Sequence, residues 1–191
     1  MPDYFPAFLS VSAVAAASSS AGAVAERKVR ALLEYGAQVT VVSPTVTPGL
    51  AALAASGRVA NRARAFRRSD VRGCALAIAA TDDPVVDAAV ATAARRLRAL
   101  VNVVDRPEHC DFILASVLRR GELQIAVSTG GRSPALAREI RRGLEALFAP
   151  NYGDVIARAG EGRRRARAEA TTRAARLEAG ERVARLALVR R

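Results

Sequence analysis

Apolar and polar positions alternate between two periods over the first 110 residues. Ala25, Val29, Leu32 and Leu33 fall at i, i+4, i+7 and i+8, which is one face of a helix. Gly36 follows where a helix C-terminus favours glycine. Residues 14–19 form a weak strand candidate before that helix, and residues 38–43 a buried strand stopped by Pro44. Residues 50–56 predict a short helix and 58–66 a polar edge strand. The unbroken apolar run 74–80 predicts a central parallel strand. Asp83 and Pro84 open a helix as N-cap and first helical residue, reaching about Arg98. Residues 100–104 make another buried strand, ending at Asp105. Strands alternating with helices in this way predict βαβ units and a parallel α/β sheet.

The pattern changes after Asp111. Residues 112–118 and 123–128 predict two strands of a hairpin, with Arg-Arg-Gly-Glu between them. Ser133-Pro134 then starts a helix reaching about Phe148. This hairpin and helix are too small to bury their own apolar face. Ile113, Val117, Leu123, Ile125, Leu136, Ile140, Leu144 and Leu147 need a partner, so a symmetric homodimer is expected. From Asn151 onward the chain reads as Arg- and Ala-rich helix, interrupted near Gly162 and Gly180. The expected domains are 1–111, 112–150 and 151–191.

A chain of 191 residues has room for one large domain or two small ones. Aromatics are 4% and Trp is absent, so the core is built from small aliphatic residues. The net charge is +12, half of it in residues 151–191, and Lys28 is the only lysine. Such a surface attracts polyanions: nucleic acid, an anionic membrane or a polycarboxylate ligand. Cys74 and Cys110 form no CxxC pair, which argues against a zinc site or a disulfide framework and for the cytoplasm. His109 is the only histidine, so no His-rich metal cage is expected. No segment approaches the roughly 20 apolar residues of a membrane span. Residues 13–25 look a little like the end of a signal peptide, but no Lys or Arg precedes them and three serines interrupt them.

Several segments carry candidate chemistry. Ser20-Ala21-Gly22-Ala23-Val24-Ala25 sits where a dinucleotide fold places its glycine-rich turn. Gly22 would let a pyrophosphate approach the backbone, and the helix N-terminus would supply free N–H groups; an ordinary β–α turn is the other reading. Ser43-Pro44-Thr45 has no acid for the ribose, so its hydroxyls serve instead or no nucleotide binds. Thr81 lies at a strand's carboxyl end, where open α/β sheets bind ligands, while Asp83 is a cap. Asp105, after Asn102-Val103-Val104, is expected to be partly withdrawn from water and suited to act as a general base. Pro107 favours a plain turn there, and His109 is a loop residue or a second acid/base group. Ser128-Thr129-Gly130-Gly131-Arg132-Ser133-Pro134 reads as an anion cradle. The run Arg163-Arg164-Arg165-Ala166-Arg167 is a solvated helical face, with no aromatic interleaved for base stacking.

Together these residues resemble the precorrin-2 dehydrogenase/sirohydrochlorin ferrochelatase family, the NAD-dependent module of siroheme synthase. The matching segments are residues 4–9, Val24-Ala25-Glu26-Arg27-Lys28-Val29, 32–37, 77–83, Val101-Asn102-Val103-Val104-Asp105, 110–113, and Ala126-Val127-Ser128-Thr129-Gly130-Gly131 with Ser133-Pro134. The resemblance covers about residues 1–150. It implies a Rossmann domain, a small α+β dimerisation domain and a C-terminal helical segment. It also implies NAD-dependent oxidation of precorrin-2 to sirohydrochlorin, with ferrous iron as a possible second substrate. Asp105 falls on the family's key carboxylate. Gly22, Ala23, Val24, Ser43, Pro44, Thr45 and Thr81 would bind the cofactor; Asn102, Ser128, Thr129, Gly130 and Arg132 would bind the tetrapyrrole; no resident metal is implied. Where the family has valines and three glycines, this chain reads Ala16-Ala17-Ser18-Ser19-Ser20-Ala21-Gly22, so crowding of the pyrophosphate is expected. From a different class, the chain would be a tetrapyrrole- or nucleic-acid-binding protein that keeps the fold without catalysis.

Overall fold

A computed structural model of the chain describes residues 4–11, 15–18 and 22–189. Contacts divide it into two units, Met1–Ile113 and Leu114–Arg191. In the first, β1 (Ala15–Ser18), β2 (Gln38–Val42), β3 (Val59–Arg62), β4 (Cys74–Ala79) and β5 (Leu100–Val103) form one parallel sheet. The strand order is β3-β2-β1-β4-β5. The connections therefore reverse direction at β1, and the crevice outside its carboxyl end is where such sheets take a ligand. Between the strands run α1 (Ala23–Glu34), α2 (Pro48–Ala55) and α3 (Pro84–Arg96).

Alternation along the strands sorts side chains into two cores. Leu76 and Ile78 of β4 join Val29, Leu32, Val39, Val41 and Leu50. Ala77 and Ala79 join Val90, Ala94, Val101 and Val103 on the other face. Both faces are covered, which is why β4 reads as continuously apolar.

The expected edge strand is shorter than 58–66, because pairing stops at Arg62. Beyond it the chain turns to serve Asp70, whose side chain is fully buried. Arg62 Nη1 lies 2.6 Å from Asp70 Oδ1, and Arg64 donates from both Nη atoms at 2.8 and 2.6 Å. The Arg67 N–H adds a bond of 2.7 Å. The Arg64 hydrogen bonds, more than any other partner, hold this carboxyl well below the usual carboxylate range. A group held down in this way stabilises the fold above about pH 4 and loses that contribution as pH falls further. Asp70→Asn should therefore lower stability by roughly 2 kcal/mol at neutral pH, discounted because both arginines remain partly exposed. Urea unfolding at pH 7 and pH 3 checks this: the gap between the two proteins should shrink at the lower pH.

In the second unit, β6 (Ser116–Arg120) and β7 (Leu123–Val127) form an antiparallel hairpin. Its loop is tighter than expected. Arg119 and Arg120 belong to β6, opposite Gln124 and Leu123, which leaves Gly121-Glu122 as a two-residue turn. Gly121 has φ +58, a conformation that favours glycine. α4 (Pro134–Leu147) begins as expected, with Ser133 Oγ accepting from the Leu136 N–H at 3.2 Å.

Two helices follow, α5 (Tyr152–Glu169) and α6 (Arg173–Val189). The interruptions expected near Gly162 and Gly180 are absent. The chain breaks instead at 170–172, where Ala170 is extended and Thr172 Oγ1 accepts from the Ala175 N–H at 3.2 Å. Gly162 is there for packing, since a β-carbon at that position would lie 2.9 Å from Val183 of α6.

Candidate functional site

At the carboxyl edge of the first sheet lies a cleft of about 550 Å³. Gly22, Ser43, Pro44, Thr45 and Thr81, scattered over 60 residues of sequence, all line it. Phe66 and Val86, apolar residues whose local sequence carries no signal of a binding role, also line it. Ser43 is buried, while Pro44 and Thr45 are exposed.

Gly22 is the N-cap of α1, with extended backbone and no side chain to cap the helix. The first helical bond runs from the Glu26 N–H to the Gly22 carbonyl at 3.0 Å. The N–H groups of Ala23, Val24 and Ala25 therefore have no partner within the helix. A β-carbon at Gly22 would meet nothing within 4 Å. A helix N-terminus whose first N–H groups lack helical partners, at the rim of a cleft, fits the diphosphate of a dinucleotide. Ser19, Ser20 and Ala21, where crowding of that group was expected, lie outside the described residues.

Two cleft residues have duties within the protein. The Thr81 hydroxyl donates to Asp87 Oδ1 at 2.8 Å and accepts from the Asp83 N–H at 3.2 Å. Asp83 Oδ1 accepts from the Val85 N–H at 2.8 Å, which makes it the expected cap of α3. Thr81 thus shapes the loop at the cleft. An acid does come near the end of β2, but from α1: the Glu26 carboxylate accepts from the Thr47 hydroxyl, and from Arg30 Nε at 2.8 Å. The Thr47 and Arg30 bonds hold Glu26 below its ordinary value. A side chain at Gly49 would run into the same carboxylate.

Past β5, the Val104 N–H still bonds the Ala79 carbonyl at 2.9 Å, and Asp105 follows with φ +58 in a tight turn. Aspartate tolerates this left-handed conformation better than most residues. The side chain is exposed, not partly withdrawn from water as expected, because the turn leaves the sheet before Asp105. Asn102 departs further from its expected role as a substrate contact. It is 5% exposed, its Nδ2 donates to the Phe112 carbonyl at 3.0 Å, and its Oδ1 accepts from Lys28 Nζ at 2.8 Å. Burial pushes the Lys28 ammonium down, against the opposing pull of Cys110. Burial also pushes the Cys110 thiol up; its Sγ lies 3.1 Å from the Val103 nitrogen. His109 is exposed at the end of the single 3-10 turn Pro107–His109, its Nε2 3.9 Å from Glu108 Oε1. Among the described residues no three His, Cys, Asp or Glu side chains are grouped to hold a metal ion.

In the second unit, Ser128, Thr129, Gly130 and Arg132 fall in the turn between β7 and α4. Ser128 Oγ accepts from the Gly130 N–H at 3.1 Å, and Thr129 Oγ1 accepts from the Ser133 N–H at 3.0 Å. Gly130 and Gly131 take φ +63 and +82, and Arg132 is exposed beside the α4 N-terminus. The hydroxyl oxygens hold the turn, and their O–H groups are left to donate.

The family described as putative NAD(P)-binding matches residues 19–116, and that described as sirohaem biosynthesis protein central matches 120–147. The siroheme synthase of Methylococcus capsulatus is 42% identical over 165 residues, covering 86% of this chain and 35% of that protein. Siroheme synthase 3 of Aeromonas hydrophila is 43% identical over 166 residues, covering 87% and 36%. The chain thus spans about a third of the length of these relatives. Among solved structures, SirC, a precorrin-2 dehydrogenase, superposes with a TM-score of 0.78 at 23% identity, covering 97% of this chain and 94% of that one. Among the described residues no helix is long and apolar enough to cross a membrane.

Proposed function

The chain belongs to the siroheme-synthase family of NAD(P)-binding proteins, and from that premise we propose that it oxidises precorrin-2 to sirohydrochlorin with NAD⁺. The observation that carries this reading is the cleft at the switch point of the sheet, with Gly22, the N-cap of α1, on its rim. Gly22, Ala23 and Val24 would hold the diphosphate, and Ser43, Pro44 and Thr45 would bind the remainder of the cofactor. Bound there, NAD⁺ supplies a hydride acceptor. Asp105 takes the proton that leaves the ring carbon, so hydride and proton together account for the two hydrogens lost. Its exposure leaves the carboxylate open to a large substrate. Ser128, Thr129, Gly130 and Arg132 offer O–H, N–H and guanidinium donors to the carboxylates of the tetrapyrrole. Ferrous iron insertion would use Asp105 to draw off pyrrole protons. The two free thiols suit the cytoplasm. Anaerobic incubation of the chain with precorrin-2 and NAD⁺, followed by absorbance, tests the reading. NADH formed in step with sirohydrochlorin supports it. Salt-sensitive DNA binding with no NADH favours the non-catalytic alternative.

We also infer that the chain acts as a homodimer. Leu136, Ile140 and Leu147 of α4 are 53%, 44% and 65% exposed, an apolar stripe the second unit leaves uncovered. Light scattering at micromolar concentration should give twice the chain mass; the mass of a single chain would refute the dimer.

A further inference from the structure

The cationic side chains number 30, and Lys28 alone is not arginine. It stands on the stripe of α1 that carries Ala25, Val29 and Leu32, the residues that face the sheet. A charge on an apolar stripe needs a partner there. Its partner is Asn102, 74 residues away, which occupies the α1 face of β5 where alternation would put an apolar side chain. The amide is buried, and its oxygen accepts a hydrogen bond from the Lys28 ammonium while its nitrogen donates to the Phe112 carbonyl. Lys28 thus fixes which way the amide points. The amide in turn ties β5 to the chain returning at Phe112, on either side of the turn that presents Asp105.

We propose that Lys28 is a positioning residue for precorrin-2 oxidation, acting through Asn102 to set the turn that carries Asp105. This rests on the function proposed above. An ammonium suits the place and a guanidinium does not. One oxygen is offered, and the five N–H groups of an arginine would leave donors unmet in a half-buried slot. The same burial disfavours the charged ammonium, with Cys110 and Asp105 pulling the other way and Arg27 adding to the effect.

The test is steady-state oxidation of precorrin-2 by the full chain and its Lys28→Met, Lys28→Arg, Lys28→Gln and Asn102→Leu variants, alongside NAD⁺ affinity and thermal midpoint. Lys28→Met and Lys28→Arg should lose roughly tenfold or more in kcat, with KM and NAD⁺ affinity little changed. Lys28→Gln, which keeps a neutral donor, should recover most of the loss. Lys28→Met combined with Asn102→Leu should be no slower than the slower single variant, because both break one link. Full activity in Lys28→Met, full rescue by arginine, or additive losses would overturn the proposal. Variants that lose NAD⁺ binding and thermal stability together, glutamine included, would also overturn it, since Lys28 would then only support the fold. A wild-type chain that forms no NADH refutes the parent function and this role with it. An active wild type with indifferent variants refutes the role alone.

Discussion

Replacing Asp105 with alanine should lower turnover of precorrin-2 by roughly 10²-fold or more, the usual scale for a positioned base. The loss should fall on kcat, since the carboxylate is needed when the proton leaves and does little to hold a large polycarboxylate. The fold should survive. Asp105 is exposed, in a turn that has already left the sheet. Alanine fits a φ of +58 less well than aspartate, so a small drop in thermal midpoint is expected from the turn alone. Asp105→Asn separates the two effects. It keeps the turn preference and removes the base, so it should be as slow as the alanine variant and as stable as the wild type. Near-normal turnover in either folded variant would remove Asp105 from the mechanism.

Gly22→Asp should weaken NAD⁺ binding by about 10²-fold or more, equivalent to about 2.7 kcal/mol, while leaving the protein as stable or more so. The two effects have opposite signs for one reason. Gly22 caps α1 without a side chain, and its backbone is extended, a conformation aspartate adopts freely. The new carboxylate would cap the amides of the first helical turn and suit the helix dipole. It would then occupy, with like charge, the space a diphosphate needs; chain neighbours aside, a β-carbon there meets none of the described residues within 4 Å. Calorimetric titration and a thermal melt on the same preparation read both quantities. Unchanged NAD⁺ affinity would place the diphosphate somewhere other than the α1 N-terminus.

Much of the first unit was legible in the residues. The 3.6-residue spacing of Ala25, Val29 and Leu32 and the apolar run 74–80 each had one sensible reading, and strand ends in an open α/β sheet predict where a cleft forms. Depth and register were not legible. Whether Asp105 is sunk or exposed depends on where the turn leaves β5. Arg119 and Arg120 look like loop residues, yet they pair in the hairpin, and Arg120 Nε donates to the Phe148 carbonyl at 3.0 Å, a partner 28 residues away that no local pattern announces. Gly162 looks like a helix breaker until Val183 is seen against it. The Lys28–Asn102 bond spans 74 residues, and no local pattern announces it. Thr81 was found at the right edge, but its hydroxyl turned toward Asp87, a choice made by the loop's own need for partners.

The Glu26 carboxylate, wedged among Thr47, Arg30 and the bare backbone of Gly49, makes the order of substitutions matter. Alanine at position 49 would suit a first helical turn, but it displaces Glu26 from Thr47 as long as the glutamate stands. Once Glu26 is shortened, position 49 opens to other residues, and a later return to glutamate is barred. These positions drift as a set, and lineages that changed them in different orders would find each other's single replacements harmful.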